Sequence, residues 1–162
     1  RRRCLNCPKL VRPMPDNATY ARASRWHPEA DNATLVRWTT KAARDAWPCI
    51  AWTAKVPRAD VPRVVHAFAV DMVRYLREDG DQLIRMPWRT LEDGQGDCKS
   101  LAVLVGSLCA AAGCSVVLRF VVYPGEDWYG HVYAVVDGVP VDPELQFSEE
   151  CVYSHHIDRR IR

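Results

Sequence analysis

Three residues far apart in the chain have the types and settings that thiol chemistry needs. Cys98 follows Gly94-Gln-Gly-Asp97 and opens a run that is almost wholly apolar or small, from Leu101 to Ala112. His131 opens a Val- and Tyr-rich segment, and Asp142 closes the next one, just before Pro143. A thiol is a nucleophile only as thiolate, and a helix N-terminus favours the negative charge through its unpaired N–H groups and its dipole. A thiolate also needs a base, and the base needs an orienting group. Cys98, His131 and Asp142 supply these three parts, with Cys98 as nucleophile, His131 as base and Asp142 as the group that fixes the imidazole tautomer. Cys109 and Cys114 lie among apolar residues and read as small hydrophobes.

The elements around these residues follow from periodicity. The segment from Cys98 to Ala112 reads as a helix apolar on every side, hence buried, and Gly113 ends it. The glycines before Cys98 allow a substrate backbone to approach closely. Ser115 to Tyr123 reads as a strand, Pro124 to Gly130 as a turn, and His131 to Val136 as a second strand. Asp137-Gly138 is a tight-hairpin signal leading to a third strand, Val139 to Asp142. Alternation puts His131, Tyr133 and Val135 on one face of their strand. If that face packs on the buried helix, His131 lies beside Cys98.

Upstream, residues 1 to about 30 carry Pro8, Pro13, Pro15 and Pro28 and read as an irregular arm, with residues 31–162 as the catalytic domain. A helix capped by Asp31 or Asn32 runs through Leu35, Trp38, Ala42 and Ala46 and ends before Pro48. A second, N-capped by Asp60, carries Val64, Val65, Phe68, Val70, Met72, Val73, Tyr75 and Leu76 at helical spacing, with Gly80 as its stop. His66 falls inside it and reads as packing or surface. Arg85 to Asp97 reads as a loop. The order of helices, a buried central helix and an antiparallel meander is an α+β layout.

Gly96-Asp97-Cys98-Lys99-Ser100-Leu101-Ala102 with its Ala-rich helix resembles the Cys motif of the transglutaminase-like superfamily. His131-Val132-Tyr133-Ala134-Val135-Val136 resembles its His motif, and Val141-Asp142-Pro143 its Asp motif. The resemblance covers residues from about 86 to 145, and Trp88-Arg89-Thr90-Leu91 is similar to the lead-in of bacterial and phage members. It implies a papain-like core, one Cys-bearing helix on an antiparallel sheet, and a cysteine peptidase acting on a protein or peptide substrate through a Cys-His-Asp triad. It also implies an oxyanion donor upstream of the nucleophile. Gln95 is the candidate by position, with an ordinary loop residue as the alternative reading. Trp128 and Tyr129 either wall a substrate groove or serve as aromatic turn residues. The same motifs fit a transglutaminase, in which an amine resolves the acyl-enzyme, and a non-catalytic phage or virion module that retains the fold.

Composition narrows the rest. The chain has 162 residues, enough for one domain burying roughly 70% of its unfolded surface. A net charge of +2 is too small to argue for nucleic acid, and the terminal runs Arg1-Arg2-Arg3 and Arg159-Arg160-Ile161-Arg162 read as solvated ends. No apolar stretch nears the ~20 residues of a membrane span. No signal segment opens the chain, and the missing initiator Met suggests a fragment or processed product. Seven cysteines cannot all pair within one chain, which favours a reducing, cytoplasmic setting, with a virion-associated phage protein as a variant of it. Asn17-Ala-Thr and Asn32-Ala-Thr match the glycosylation acceptor pattern, which arises often by chance, and without a signal segment they are discounted. No cofactor is implied by the triad. One weaker constellation remains: Cys4-Leu-Asn-Cys7 with Cys151 and His155 could hold a structural zinc ion, or the CxxC could be a chance or redox-sensitive pair.

Overall fold

In the computed structural model, residues 20–23, 28–44, 52–77 and 82–161 are described. A helix without a polar face has to be enclosed, and the Cys98–Ala111 helix is: every residue from Lys99 to Cys109 is buried. It is the fourth helix, α4. Packed against it are α1 (Pro28–Arg44), α2 (Val61–Met72) and α3 (Pro87–Asp93). Opposite lies an antiparallel sheet of β5 (Val116–Val122), β6 (His131–Val136), β7 (Val139–Val141) and β8 (His155–Arg160), in the order β7-β6-β5-β8. Gly106 marks how closely α4 is held. A side chain there would meet Thr39 of α1 at 2.9 Å and Leu118 of β5 at 3.3 Å. The molecule is therefore mixed α and β, with an antiparallel sheet packed on helices.

The meander follows the sequence pattern closely. β5 and β6 pair from Val116↔Val136 to Val121↔His131, and β6 and β7 from Val136↔Val139 to Ala134↔Val141. The connecting turn has positive φ at both Asp137 (49°) and Gly138 (86°), the backbone of a tight two-residue hairpin. β8 has no counterpart in the expected meander. It pairs antiparallel with β5, and Arg119 clamps it with a two-pronged bond to Asp158 at 2.8 Å.

The face of β6 that meets the helix is the reverse of the expected one. Val132, Ala134 and Val136 join the core around α4, together with Val116, Leu118 and Phe120 of β5. Tyr133 and Val135 lie on the far face with Val121, under Cys151 and Tyr153 of the C-terminal segment. With α4 on one face and that segment on the other, all six β6 residues are buried and their apolarity carries no sign of direction.

The first half differs from expectation in four places. A strand, β1 (Tyr20–Ala23), pairs antiparallel with β3 (Gln82–Arg85), inside the segment read as an irregular arm. The prolines at 15 and 28 bracket a Pro-free stretch long enough for it. Helix α1 starts at Pro28 rather than Asp31 or Asn32, because a first-turn Pro gives up no hydrogen bond. Residue 46, at its expected end, lies outside the described residues. Helix α2 stops at Met72, short of Gly80, which also lies outside them. The chain turns instead into β2 (Arg74–Tyr75), parallel to β4 (Gln95–Gly96), with Arg74 N–H on Gly94 O at 3.0 Å and Leu76 N–H on Gly96 O at 2.9 Å. The expected loop contains α3, opened by Pro87 and closed by Gly94 at φ 63°.

These contacts reassign Gly96. Its open side is taken by the protein itself, since a Cβ there would sit 2.9 Å from Ser100 Cβ and 3.3 Å from Thr90 Cγ2. Gly96→Ala should force α4 and α3 apart and cost about 1–3 kcal/mol. The check is urea unfolding, where the midpoint falls with an unchanged slope. An unmoved midpoint would mean that Ser100 and Thr90 yield freely.

Candidate active site

The site begins at the entry to α4. Asp97 caps the helix, its Oδ1 accepting the Ser100 N–H at 3.1 Å. Its other oxygen pairs with Lys99 Nζ, and both side chains are buried. Cys98 is thus the first residue of a capped helix, partly buried, with the N–H groups of Lys99 and Val132 directed at its sulfur.

His131 opens β6 and is 6% exposed. Its Nε2 lies 2.6 Å from Oδ2 of Asp142, itself 2% exposed, immediately after β7. A carboxylate only accepts, so Nε2 carries the proton and Nδ1 is turned the other way. Asp142 is fixed in turn. Its Oδ1 accepts the Glu144 N–H at 3.1 Å, and its carbonyl lies 3.1 Å from His66 Nε2. The same His66 nitrogen is 3.0 Å from the Leu145 carbonyl, so it is the donor to both. His66 is therefore a positioning residue, buried in α2, that ties down the turn carrying Asp142.

On the free side of His131, Glu144 Oε1 lies 3.4 Å from Nδ1. Donor atoms of Cys98, His131 and Glu144 all fall within 4.8 Å of one another. The three expected residues are thus brought together, with Asp142 and Glu144 on opposite nitrogens of the imidazole and Cys98 beside it. Over them opens a cleft of about 700 Å³, walled by Tyr75, Arg77, Tyr123, Glu126, Trp128 and Tyr129. Trp128 is 56% exposed at its lip. Both aromatic residues expected at a groove line it.

Gln95 does not. Its amide oxygen takes a long bond of 3.5 Å from Arg74, and it is absent from the cleft lining. Sequence reasoning also missed Tyr75 and Glu144. A helical period concealed Tyr75, which reaches the cleft because α2 breaks early. Glu144 was signalled only by the Asp142-Pro-Glu turn. Of the zinc candidates, Cys4 and Cys7 lie outside the described residues. Cys151 packs beneath the sheet and His155 sits on β8 against Tyr129. Among the described residues these two join no cluster of three donor side chains.

The electrostatics run against the expectation of a lowered thiol pKa. Burial pushes the Cys98 thiol up to about 12, and the charges of Glu144 and Asp142 add to the effect. The N–H groups of Val132 and Lys99 oppose it without prevailing. Burial also pushes Glu144 above the usual carboxylate range, with Asp142 adding to it and His131 opposing. For His131, burial favours the neutral ring, but the bond and charge of Asp142 and the charge of Glu144 outweigh it and raise the pKa.

Comparison with protein-family models, with curated proteins and with solved structures found no match. No helix among the described residues is long and apolar enough to cross a membrane.

Because the charge of Glu144 adds to burial in raising the Cys98 thiol, Glu144→Gln should bring thiolate formation to lower pH. Iodoacetamide labelling of Cys98 at pH 8 should then quicken by roughly 3- to 10-fold, tenfold per pKa unit. Mass spectrometry of the labelled peptide reads it, and an equal or slower rate would remove Glu144 from the account of the thiol.

Proposed function

We propose that this chain is a thiol acyl-transfer enzyme that cleaves amide bonds, a cysteine peptidase of transglutaminase-like type with a papain-like core. What carries the reading is one arrangement: a cysteine sulfur at a capped helix N-terminus beside a histidine whose other nitrogen is held by a buried carboxylate at 2.6 Å. The sequence motifs around Cys98, His131 and Asp142 support it independently.

The raised thiol pKa decides the form of the mechanism. Cys98 waits as a thiol, and its proton passes to His131 Nδ1 as the sulfur attacks the substrate carbonyl. Asp142 steadies the imidazolium. The oxyanion falls to the Cys98 backbone N–H at the helix start, since the Ser100 and Leu101 N–H groups are taken by Asp97, with no part for Gln95. His131 then protonates the leaving amine, and water, activated by the same ring, releases the acid.

A peptide-hydrolysis assay run beside a glutamine–amine coupling assay tests this. Wild type should cleave peptide, Cys98→Ala should be inactive, and His131→Ala should lose about 10²- to 10⁴-fold. Coupling in place of cleavage would make the enzyme a transglutaminase. Turnover that survives Cys98→Ala would end the thiol reading, and no turnover of either substrate by wild type would favour a binding module. The acid limb of the pH profile should lie above 6.5, since a raised His131 pKa keeps the base protonated to higher pH. A limb below 6.5 would mean that another group is the base.

A further inference from the structure

We propose that Cys98, His131 and Glu144 form a three-ligand binding site for Zn²⁺, in which a bound ion blocks the nucleophile reversibly. The inference stands on where these side chains lie, and it holds whether or not the thiol performs acyl transfer.

The donor set is one thiol, one imidazole nitrogen and one carboxylate oxygen, mutually within 4.8 Å. Zn²⁺ binds such donors at about 2.0–2.3 Å, so neighbouring ligands of a tetrahedral ion stand roughly 3.5 Å apart. Glu144 Oε1 and His131 Nδ1 already stand 3.4 Å apart. The other two edges both run to the Cys98 sulfur and need to shorten by at most about 1.3 Å. The partly buried Cys98 side chain therefore has to turn toward the pair, with Glu144, one-quarter exposed on a turn, following it.

A second observation points the same way. A metal-bound histidine nearly always gives its other N–H to a carboxylate or carbonyl, which fixes the ring and strengthens the ligand. His131 does this in full, through Nε2 on the buried Asp142. Glu144 is likewise held, by the Tyr75 hydroxyl. The fourth position opens into the cleft, giving the ion a way in and room for a water. A thiolate in the set selects Zn²⁺ over Mg²⁺ or Ca²⁺, which prefer all-oxygen sites.

Binding replaces one bond with another and needs no redox partner. The S–H bond of Cys98 breaks, its proton leaves to solvent, and a sulfur–zinc bond forms. While the ion is bound, the sulfur has no free thiolate and Nδ1 has no free lone pair.

The test uses the whole 162-residue chain under reducing conditions with Cys4→Ser and Cys7→Ser, so that the CxxC pair cannot bind metal. Titration with Co²⁺, a spectroscopic stand-in for Zn²⁺, should give one equivalent with a sulfur-to-metal charge-transfer band that Zn²⁺ displaces. Cys98→Ser should abolish the band, and Glu144→Gln should weaken Zn²⁺ competition by about tenfold or more. Zn²⁺ should protect Cys98 from iodoacetamide, and EDTA should reverse the protection. A band that persists in Cys98→Ser, or an affinity unchanged in Glu144→Gln, would overturn the site. Metal binding without amide cleavage would leave the site standing and remove the enzymatic reading. Full cleavage activity in saturating Zn²⁺ would do the opposite.

Discussion

The enclosure of α4 is the constraint from which the rest of the architecture follows. Its middle has no polar face, so α1, α2 and α3 must cover it on one side and the sheet on the other. Gly106, pinched between Thr39 and Leu118, leaves little freedom to slide or rotate. Polar groups are thereby pushed to the helix's ends. At the N-terminus they form a buried set in which Asp97 caps the backbone and neutralises Lys99. Breaking a buried pair by removing one partner costs about 3–5 kcal/mol, because the other charge is stranded. The position of Cys98 is therefore a consequence of core packing.

The sheet supplies the other half of the site by a separate route. The Asp137-Gly138 hairpin sets the β6–β7 register, and that register carries Asp142 alongside the strand that His131 opens. The sheet meets α4 through Val132, Ala134 and Val136. A further tie comes from α2, whose His66 donates to the carbonyls of Asp142 and Leu145. Phe147 packs edge-on against the same ring, with Arg63 stacked over the Phe147 face. The turn bearing Asp142 and Glu144 is thus held from below by a helix and from beside by its own Asx bond.

What the sequence made legible was local. An all-apolar run, an Asp-Gly hairpin and a Val-rich alternation each have a single physical reading, and the elements they describe are present within a residue or two. What escaped was decided by tertiary contact. Tyr75 keeps the helical period of α2, yet its backbone pairs with the Cys98 lead-in. β6 is apolar on both faces because a C-terminal segment covers the far one, so its pattern could not say which side meets α4. β8, six residues mostly exposed and polar, had no buried stripe to announce it. The α3 boundaries were readable after all, in Pro87 at its start and Gly94 past its end. Gly94 and Gly96 together looked like room for a substrate, whereas one caps a helix and the other admits Ser100 and Thr90.

Glu144, on the turn after Asp142, governs how the site is poised. A helix N-terminus and two backbone N–H groups favour a thiolate, and taken alone they would make Cys98 an activated nucleophile. Burial and two carboxylates within the same few ångströms reverse the balance. Asp142 is committed to His131 and cannot move without breaking the turn that His66 holds. Glu144 is the adjustable member, one-quarter exposed at the cleft and bonded to Tyr75 rather than to the core. An occupant that neutralises its charge or turns it outward removes the second-largest influence holding the sulfur neutral, while the proposed divalent ion would draw it inward onto the sulfur. Under the proposed function and the proposed metal site, one side chain, on a turn set by Asp142 and Pro143, stands between a resting thiol, a reacting one and a metal-bound one.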